Sequence, residues 1–457
     1  MLKNLIKFIK IYINRVKLDK LILLIFGYRY LKADVEHQKS NMINIIYNIH
    51  NSLPETNNGY AIRTHFISKL VQDKEVNIFP VTRVGFPIDL KKIGKFLDNN
   101  RYPVVDDISY RRLDKEGYRW GETTISQYVH NYTMMLLEFS KEKDASLIHS
   151  ASNYLNGLAG VNCAKILGLP SIYEVRGFWE TTRASREPSF KDSLTYKMQK
   201  KLEIQACKDA TSVLALSEIV KEELISRGID GKKIFTITNG VDTQRLIPVN
   251  KDLSLLKKLD VVDKFIVGFI GSVVDYEGLI LLVEAAKQID VKYKDQFRYL
   301  IVGDGNDLDN IQLKVKHLNI ESLFIFTKRV PYEEVEQYYS IIDIACYPRL
   351  DWEVCQIVSP KKPFEAMAYA KPIVSSSVRA NSYFLKHEVN GLIHQKESVA
   401  SIVENILKLY EDKELYDSVS KNAREWVVAN RDSKKAKKLI HSIYKETQEN
   451  FTKQHGG

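Results

Sequence analysis

Two successive series of short apolar runs, separated by stretches with helical spacing, constrain the fold of this 457-residue chain more than any other feature. Strands that alternate with helices form parallel sheets with both faces covered. The chain is too long for one ordinary core, so the pattern predicts an α/β protein with two doubly wound, Rossmann-like domains facing across a cleft. The predicted strands are 42–49, 75–82, 145–151, 170–176, 211–217 and 233–240, followed by 264–272, 298–305, 323–329, 341–348, 371–376 and 391–395.

The same pattern divides the chain into four predicted parts. They are a basic amphipathic helix at 1–33, an N-terminal domain at 41–248, a C-terminal domain at 263–428 and a basic helical segment at 429–457. Residues 249–262 are charged and carry no strong strand, so they are interpreted as a linker. The final segment is expected to pack back on the N-terminal domain.

Positive charge is concentrated at the start of the chain. The net charge is +10, and residues 1–33 hold eight Lys or Arg against one acid, Asp19. Such local basicity argues against a protein that coats nucleic acid, so no nucleic-acid partner is expected. The lysines of 1–26 form one stripe opposite an apolar face, which predicts a helix on an anionic membrane surface. A helix that packs on protein is the alternative.

Cysteine usage and hydropathy exclude other classes. The four cysteines form no CxxC pair and have no histidine cluster beside them, which indicates structural thiols in a reducing compartment and no metal site. No apolar run reaches the roughly 20 residues that a membrane span needs.

The segment 358–376, VSPKKPFEAMAYAKPIVSS, carries the clearest candidate site. It predicts a loop, a helix that begins near Pro363, and then a strand. Lys361 and Lys362 lie at the positive helix start, where phosphate groups bind, and Glu365 one turn later can accept hydrogen bonds from sugar hydroxyls. An ordinary capped surface helix fits the same residues.

Nine segments of the chain resemble the family-4 glycosyltransferases of the GT-B fold. The resemblance runs from residue 43 to about 425, with the matching segments in family order: NNGYAIRTH (57–65), NYLNGLAG (153–160), IYEVRGFWE (172–180), LSEIVKEEL (216–224), ITNGVD (237–242), GFIGSVVDYEGL (268–279), IVGDG (301–305), RVPYEEVEQYYSIIDI (329–344) and SPKKPFEAMAYAKPIV (359–374). It implies transfer of a hexose from a nucleotide donor, usually UDP-linked, with retention at the anomeric carbon. Enzymes of this kind serve bacterial capsule, O-antigen and exopolysaccharide assembly.

The resemblance assigns donor-binding roles and shows three departures. Glu365 corresponds to the ribose-binding glutamate, but the second glutamate is replaced by Ile357. The phosphate clamp G-R-x-x-x-x-K-G is replaced by Gly271, Ser272, Glu277 and Gly278, which lack both cations. The H-x-H of the third strand is reduced to His149 followed by Ser150 and Ala151.

A diphosphate still needs counter-charge, so Lys362 and Arg329 are expected to replace the missing clamp cations beside Gly271 and Ser272. Gly59, after the first strand, is expected to bring backbone N–H groups close to the diphosphate. A plain turn glycine and a surface arginine are the alternatives for these two positions.

The remaining candidates lie at strand ends of the N-terminal domain. His149 and Arg176 are expected to act in catalysis, since both follow or end strands that would face the sugar. Tyr60, Arg63, Trp179 and Glu180 are expected on the acceptor side. A structural histidine and a solvated charged rim are the alternatives.

These residues predict a transferase without a resident cofactor or metal. A nucleotide sugar, a glycan or lipid-linked acceptor and an anionic membrane surface are the expected partners, with a peripheral location on the cytoplasmic face of the plasma membrane. A sugar-nucleotide epimerase and a non-catalytic partner subunit remain alternatives. A dinucleotide-dependent oxidoreductase is disfavoured, because no GxGxxG follows either first strand.

Overall fold

A computed structural model describes residues 42–90, 102–113, 123–293 and 295–455. These residues form two compact units. Unit 1 holds the described chain up to Ile237 together with the chain from Lys437 onward, and unit 2 holds Thr238–Ala436. The helix predicted at 1–33 lies outside the described residues.

Unit 1 is built on a parallel sheet. Its strands are β1 (Ile43–Ile49), β2 (Val76–Thr82), β3 (Val104–Val105), β4 (Ile108–Ser109), β5 (Arg111–Arg112), β6 (Leu147–Ala151), β7 (Ser171–Val175), β8 (Ser212–Ala215) and β9 (Ile234–Thr236). Seven of them pair in the order β5-β2-β1-β6-β7-β8-β9, and β3 and β4 form a separate antiparallel pair.

Seven α-helices belong to unit 1: α1 (Gly59–Val71), α2 (Ile125–Glu142), α3 (Tyr154–Leu167), α4 (Trp179–Arg186), α5 (Leu194–Asp209), α6 (Glu218–Ser226) and, from Lys437, α16 (Ser433–His455). Five begin after a polar residue whose side chain accepts a first-turn backbone N–H: Asn58, Thr124, Asn153, Ser193 and Ser217. Ile440, Ile443 and Tyr444 of α16 are buried in the same core as β1 and β6.

Unit 2 repeats the plan with a six-stranded parallel sheet. Its strands are β10 (Phe265–Ile270), β11 (Phe297–Val302), β12 (Phe324–Lys328), β13 (Ile344–Tyr347), β14 (Ile373–Ser376) and β15 (Leu392–His394), in the order β12-β11-β10-β13-β14-β15. Its helices are α7 (Leu253–Lys258), α8 (Leu279–Lys292), α9 (Leu308–His317), α10 (Val335–Ile341), α11 (Glu353–Ile357), α12 (Lys362–Ala368), α13 (Arg379–Ser382), α14 (Val399–Glu411) and α15 (Lys413–Arg431).

Strand register brings the carboxyl ends of neighbouring strands level. Ile270 of β10 pairs with Val302 of β11, and Ala151 of β6 pairs with Glu174 of β7. The loops that follow these strands therefore converge at one edge of each sheet, where ligands of doubly wound folds bind.

The predicted α/β class with two doubly wound domains is confirmed, and each of the twelve predicted strands is present. The linker interpretation of 249–262 is wrong, because this stretch holds α7, whose Leu255 and Leu256 are buried in the core of unit 2. All four cysteines are free and buried. Within the described ranges, none of the helices combines the length and apolar character needed to cross a bilayer.

Candidate functional site

Two glycine loops meet at the carboxyl ends of β10 and β11. Gly271 and Gly303 have φ values of 143° and 140°, which side chains rarely adopt. A Cβ on Gly303 would lie 1.9 Å from the carbonyl oxygen of Gly271, so the two backbones touch. This packing leaves a surface of main chain at the sheet edge, suited to close approach by a ligand.

The side chain of Lys362 lies directly over the first of these loops. A Cβ on Gly271 would lie 2.3 Å from Lys362 Cε. Lys362 Nζ donates to Glu277 Oε1 at 2.8 Å and lies 5.2 Å from the ring centroid of Phe269 in β10. The structure therefore brings Lys362, Gly271 and Glu277 together, at the position where the family's clamp lysine is replaced by glutamate.

Glu277 is buried between two cations. Burial alone would raise its pKa, but the charges of Lys362 and Arg349 outweigh it and hold the pKa of Glu277 below its ordinary value. Arg349 Nε lies 3.8 Å from Glu277 Oε1, and its Nη1 donates to the carbonyl of Val358. Glu277 Oε2 is buried and accepts no hydrogen bond from the described residues.

Glu365, the candidate ribose-binding glutamate, lies on α12. The helix begins at Lys362 with Pro363 in its first turn, as the sequence predicted. Glu365 Oε1 lies 3.1 Å from Lys361 Nζ, and both side chains are partly exposed. Adjacent lysines therefore neutralise separate glutamates, Lys361 with Glu365 and Lys362 with Glu277.

The side chains of two predicted donor-binding residues form no hydrogen bond with the cluster of Lys362, Gly271 and Glu277 in the part of the chain that the structure describes. Ser272 and Arg329 are exposed, and Arg329 follows β12, two strands away from β10 in the sheet. Within the described residues Arg329 shows no ion pair with the cluster, whereas Lys362 does. Lys362 is thus the residue whose position matches the predicted relocation.

In unit 1, a buried carboxylate organises the corresponding sheet edge. Glu174 of β7 accepts from Arg63 Nε at 2.9 Å and from Arg176 Nη2 at 2.8 Å. Although burial would raise its pKa, Arg176 and Arg63 hold the pKa of Glu174 far below the ordinary range. Arg176 also donates to Thr64 Oγ1 at 2.8 Å and to the Tyr47 hydroxyl.

His149 is a buried member of this cluster. Its Nδ1 lies 3.0 Å from the hydroxyl of Tyr444, and its Nε2 lies 3.7 Å from Glu174 Oε2. Burial lowers the pKa of His149 to about 4, so the ring is neutral at pH 7. Both predicted catalytic side chains, His149 and Arg176, face the interior of unit 1, because Glu174 and its partners hold them there.

The three predicted site residues at the start of α1 differ in exposure and in contacts. Gly59 is the first residue of the helix and is exposed, with no atom within 4 Å of a built Cβ. The Tyr60 hydroxyl accepts from His50 N at 2.9 Å and lies 3.2 Å from the Ala151 carbonyl, and burial raises the pKa of Tyr60 to about 12. Arg63 is buried against Glu174 and the carbonyl of Ile237.

The remaining two acceptor candidates are adjacent residues in the first turn of α4 and differ in exposure. Trp179 is 43% exposed and packs edge-on against His50, with ring centroids 4.8 Å apart. Glu180 points inward and accepts from Arg227 Nη1 at 2.7 Å. The structure does not bring Glu180 to the exposed rim expected for it, because Arg227 fixes its carboxylate inside the unit.

The sequence analysis missed Glu174, Arg349 and the pairing role of Glu277. An acidic residue inside the apolar run PSIYEVR was a signal for Glu174, since a charge in a buried strand needs partners. Among the described residues, no three His, Cys, Asp or Glu side chains gather in a way that could hold a metal ion.

Two family models match adjacent parts of the chain. Residues 109–245 match Glycosyltransferase Family 4, and residues 254–426 match Glycosyl transferases group 1. The first range falls largely in unit 1 and the second falls entirely in unit 2, and together they cover more than half of the chain.

Several relatives of low sequence identity to this chain are described as glycosyltransferases. An uncharacterised glycosyltransferase of Methanocaldococcus jannaschii is 24% identical over 56% of this chain, and the match spans 64% of that relative. The UDP-Gal:alpha-D-GlcNAc-diphosphoundecaprenol alpha-1,3-galactosyltransferase of Escherichia coli is 25% identical over 68% of this chain and 77% of the relative. The capsular polysaccharide biosynthesis glycosyltransferase CapM of Staphylococcus aureus is 25% identical over 68% and 79%.

Solved structures share the fold. Anabaena HepE in complex with UDP and glucose superimposes with a TM-score of 0.67 at 16% identity, covering 88% of this chain and 100% of HepE. Sucrose-phosphate synthase from Thermosynechococcus elongatus gives a TM-score of 0.71 at 17% identity, covering 88% and 98%. The chain therefore belongs to the glycosyltransferases of the GT-B fold, with a family 4 domain followed by a group 1 domain.

Proposed function

We propose that this protein transfers a hexose from a UDP-linked donor to a glycan or lipid-linked saccharide, with retention at the anomeric carbon. The observation that carries the proposal is the position of Lys362, whose ammonium lies over Gly271 at the end of β10 and beside buried Glu277. This places a cation at the loop where the clamp sequence itself supplies none.

The Lys362 ammonium has three N–H donors, and Glu277 takes one of them. The others are available to diphosphate oxygens, while Glu277 and the ring of Phe269 fix the side chain in place. Lys362 thus stabilises the leaving diphosphate, and Glu277 positions the Lys362 side chain.

Glu365 is proposed to bind the ribose. Its carboxylate lies on the first turn of α12 and is held by Lys361, partly open to solvent. A carboxylate so placed can accept from two adjacent hydroxyls once Lys361 moves aside. The proposal of a UDP donor is supported by the E. coli relative's UDP-Gal and by the UDP complex of HepE.

Retention is proposed to proceed without a protein nucleophile. Glu174, Glu277 and Glu365 are each ion-paired, which reduces the nucleophilicity of their carboxylates. The leaving diphosphate would then accept the proton of the incoming hydroxyl on the same face of the sugar. NMR of the product from a UDP-α-hexose should show an α linkage, and a β linkage would contradict retention.

The acceptor is proposed to bind at the carboxyl edge of the unit 1 sheet, near the exposed ring of Trp179. A lipid-linked acceptor agrees with the diphosphoundecaprenol substrate in the E. coli relative's name and with a peripheral location on the cytoplasmic membrane face. The helix predicted at 1–33, outside the described residues, is proposed as one membrane anchor.

Calorimetric titration with UDP-hexoses tests the donor site. Lys362→Ala should weaken binding about 10- to 100-fold, the range for a charge-assisted hydrogen bond. Arg329→Ala tests the second relocated cation, and Lys257→Ala, an exposed lysine on α7, is the control. Unchanged affinity in both the Lys362 and Arg329 variants would refute the relocated clamp.

We also propose that turnover needs no metal ion, because the lysine supplies the counter-charge. Activity should persist with excess chelator, and full loss with recovery on adding Mg²⁺ or Mn²⁺ would contradict this.

A further inference from the structure

A second basic surface exists far from the start of the chain. Residues 179–209, here called the α4–α5 surface, comprise α4, the turn Pro188–Asp192 and α5. They contain seven Lys or Arg and five acids, a net charge of +2. The whole chain carries +10 and residues 1–33 carry +7, so this segment carries a net +2 where the whole chain outside 1–33 carries +3.

The outward charge of this segment exceeds its formal value. Two of the five acids, Glu180 and Glu203, are buried. Glu180 is paired with Arg227, and Glu203 accepts from the Tyr173 hydroxyl at 2.6 Å. Burial, reinforced by the charge of Glu180, raises the pKa of Glu203 to about 8, so this group is largely protonated at neutral pH. Of the other three acids, Glu187 and Asp192 are exposed, and Asp209 is partly exposed and paired with Lys165 at 2.9 Å.

The exposed cations lie along one face of α5. Leu194, Lys197, Lys201 and Lys208 are exposed, and at 3.6 residues per turn they fall within a sector of roughly 60°. The opposite face carries buried Leu202, Ala206 and Cys207 and packs on the unit. The lysines therefore form a straight outward stripe of about 20 Å.

Apolar side chains are exposed at the starts of both helices of this surface. Leu194 is 59% exposed at the start of α5, and Trp179 is 43% exposed at the start of α4. Buried Phe190 packs edge-on against Tyr196 and lies 4.1 Å below the Arg183 guanidinium, which joins the two helices. Because Trp179 also contacts His50 just after β1, the start of α4 lies at the carboxyl edge of the sheet.

We propose that the α4–α5 surface docks on an anionic lipid bilayer. Lysines with long apolar stems beside an exposed tryptophan and leucine match the headgroup boundary of a membrane, where charge attraction and apolar insertion combine. Docking here would bring the proposed acceptor edge to the membrane. The inference rests on the proposed function for the lipid-linked acceptor, but membrane binding is measurable without turnover.

The test is co-sedimentation of the full chain with vesicles of 30% phosphatidylglycerol and 70% phosphatidylcholine. The Lys197→Gln/Lys201→Gln variant should reduce partitioning at least tenfold, since each lysine near an anionic surface contributes about fivefold. Leu194→Ser should reduce it further. The matched control is Lys257→Gln/Lys258→Gln on α7 of unit 2, which removes the same charge from another exposed helix and should change partitioning less than twofold.

Partitioning of the double variant within twofold of wild type, or an equal loss in the control, would overturn the proposal. So would loss of binding to dextran sulfate with vesicle binding intact, which would assign the surface to an anionic polysaccharide. UDP-hexose titration of the same variants should match wild type, so a failure of docking is distinguishable from a failure of the donor site.

Discussion

At the scale of single residues, two lysine–glutamate pairs of unit 2 differ in burial. The Glu277 side chain is 3% exposed, whereas Glu365 is 21% exposed. Glu277→Gln leaves Lys362 and Arg349 without counter-charge and should lower the free energy of unfolding by about 3 kcal/mol. Glu365→Gln should change it by less than about 1 kcal/mol. Urea unfolding followed by a probe in unit 2 checks both, and equal effects would contradict the assigned burial.

Two glycines offer a second matched comparison. Gly271→Ala should lower both stability and donor affinity, because its φ of 143° disfavours a side chain and the new Cβ would clash with Lys362. Gly59→Ala adds a methyl group at the first residue of α1, where no other atom lies within 4 Å of it. The free energy of unfolding should therefore change by less than about 1 kcal/mol. Donor affinity should nevertheless fall if the Gly59 backbone meets the diphosphate. Unaltered affinity in Gly59→Ala would assign this residue to the helix start alone.

At the scale of elements, the strands could be predicted because buried parallel strands have sequences that are mostly apolar, such as MINIIYNI for β1. The helix of 362–368 could be predicted from Pro363 and the strand that follows. Helix α7 was not predicted, because it is short and only Leu255 and Leu256 form its buried face among charged residues. The partners of Glu174 could not be predicted, since Arg63 lies 111 residues away and the contact depends on sheet order.

The C-terminal helix gives a prediction at this scale. Tyr444 of α16 is fully buried in the core of unit 1, and its hydroxyl contacts His149 Nδ1. Tyr444→Phe leaves that nitrogen without its partner and should lower the free energy of unfolding by about 1–3 kcal/mol. Lys445→Gln on the same helix removes an exposed pair with Glu75 and should leave the free energy of unfolding nearly unchanged. Thermal unfolding of the two variants should separate them clearly.

At the scale of the whole molecule, buried histidines make stability depend on pH. Burial lowers the pKa of His149 in unit 1 and of His394 in unit 2 to about 4 each. Between pH 6.5 and 4 the unfolded chain therefore binds protons that the folded chain does not. Each histidine should reduce the free energy of unfolding by about 3 kcal/mol as the pH falls through this window. Replacing His394 by Gln should flatten the pH profile of unit 2, measured by urea unfolding at pH 7 and pH 5.

Glu203 gives the stability of unit 1 the opposite dependence on pH, so the effect of His149 is visible only when Glu203 is replaced as well. Its folded pKa of about 8 lies above the ordinary value of 4.5, because burial and the charge of Glu180 disfavour the carboxylate. The folded state then keeps a proton that the unfolded chain releases, and stability falls as the pH rises from about 4.5 to 8. Glu203→Gln keeps the neutral form at every pH, so its stability relative to wild type should increase steadily between pH 5 and pH 8. The Glu203→Gln/His149→Gln double variant should show the flattest profile for unit 1. A parallel pH dependence of wild type and Glu203→Gln would mean that Glu203 is ionised in the folded protein, which would also restore a negative charge beneath the α4–α5 surface.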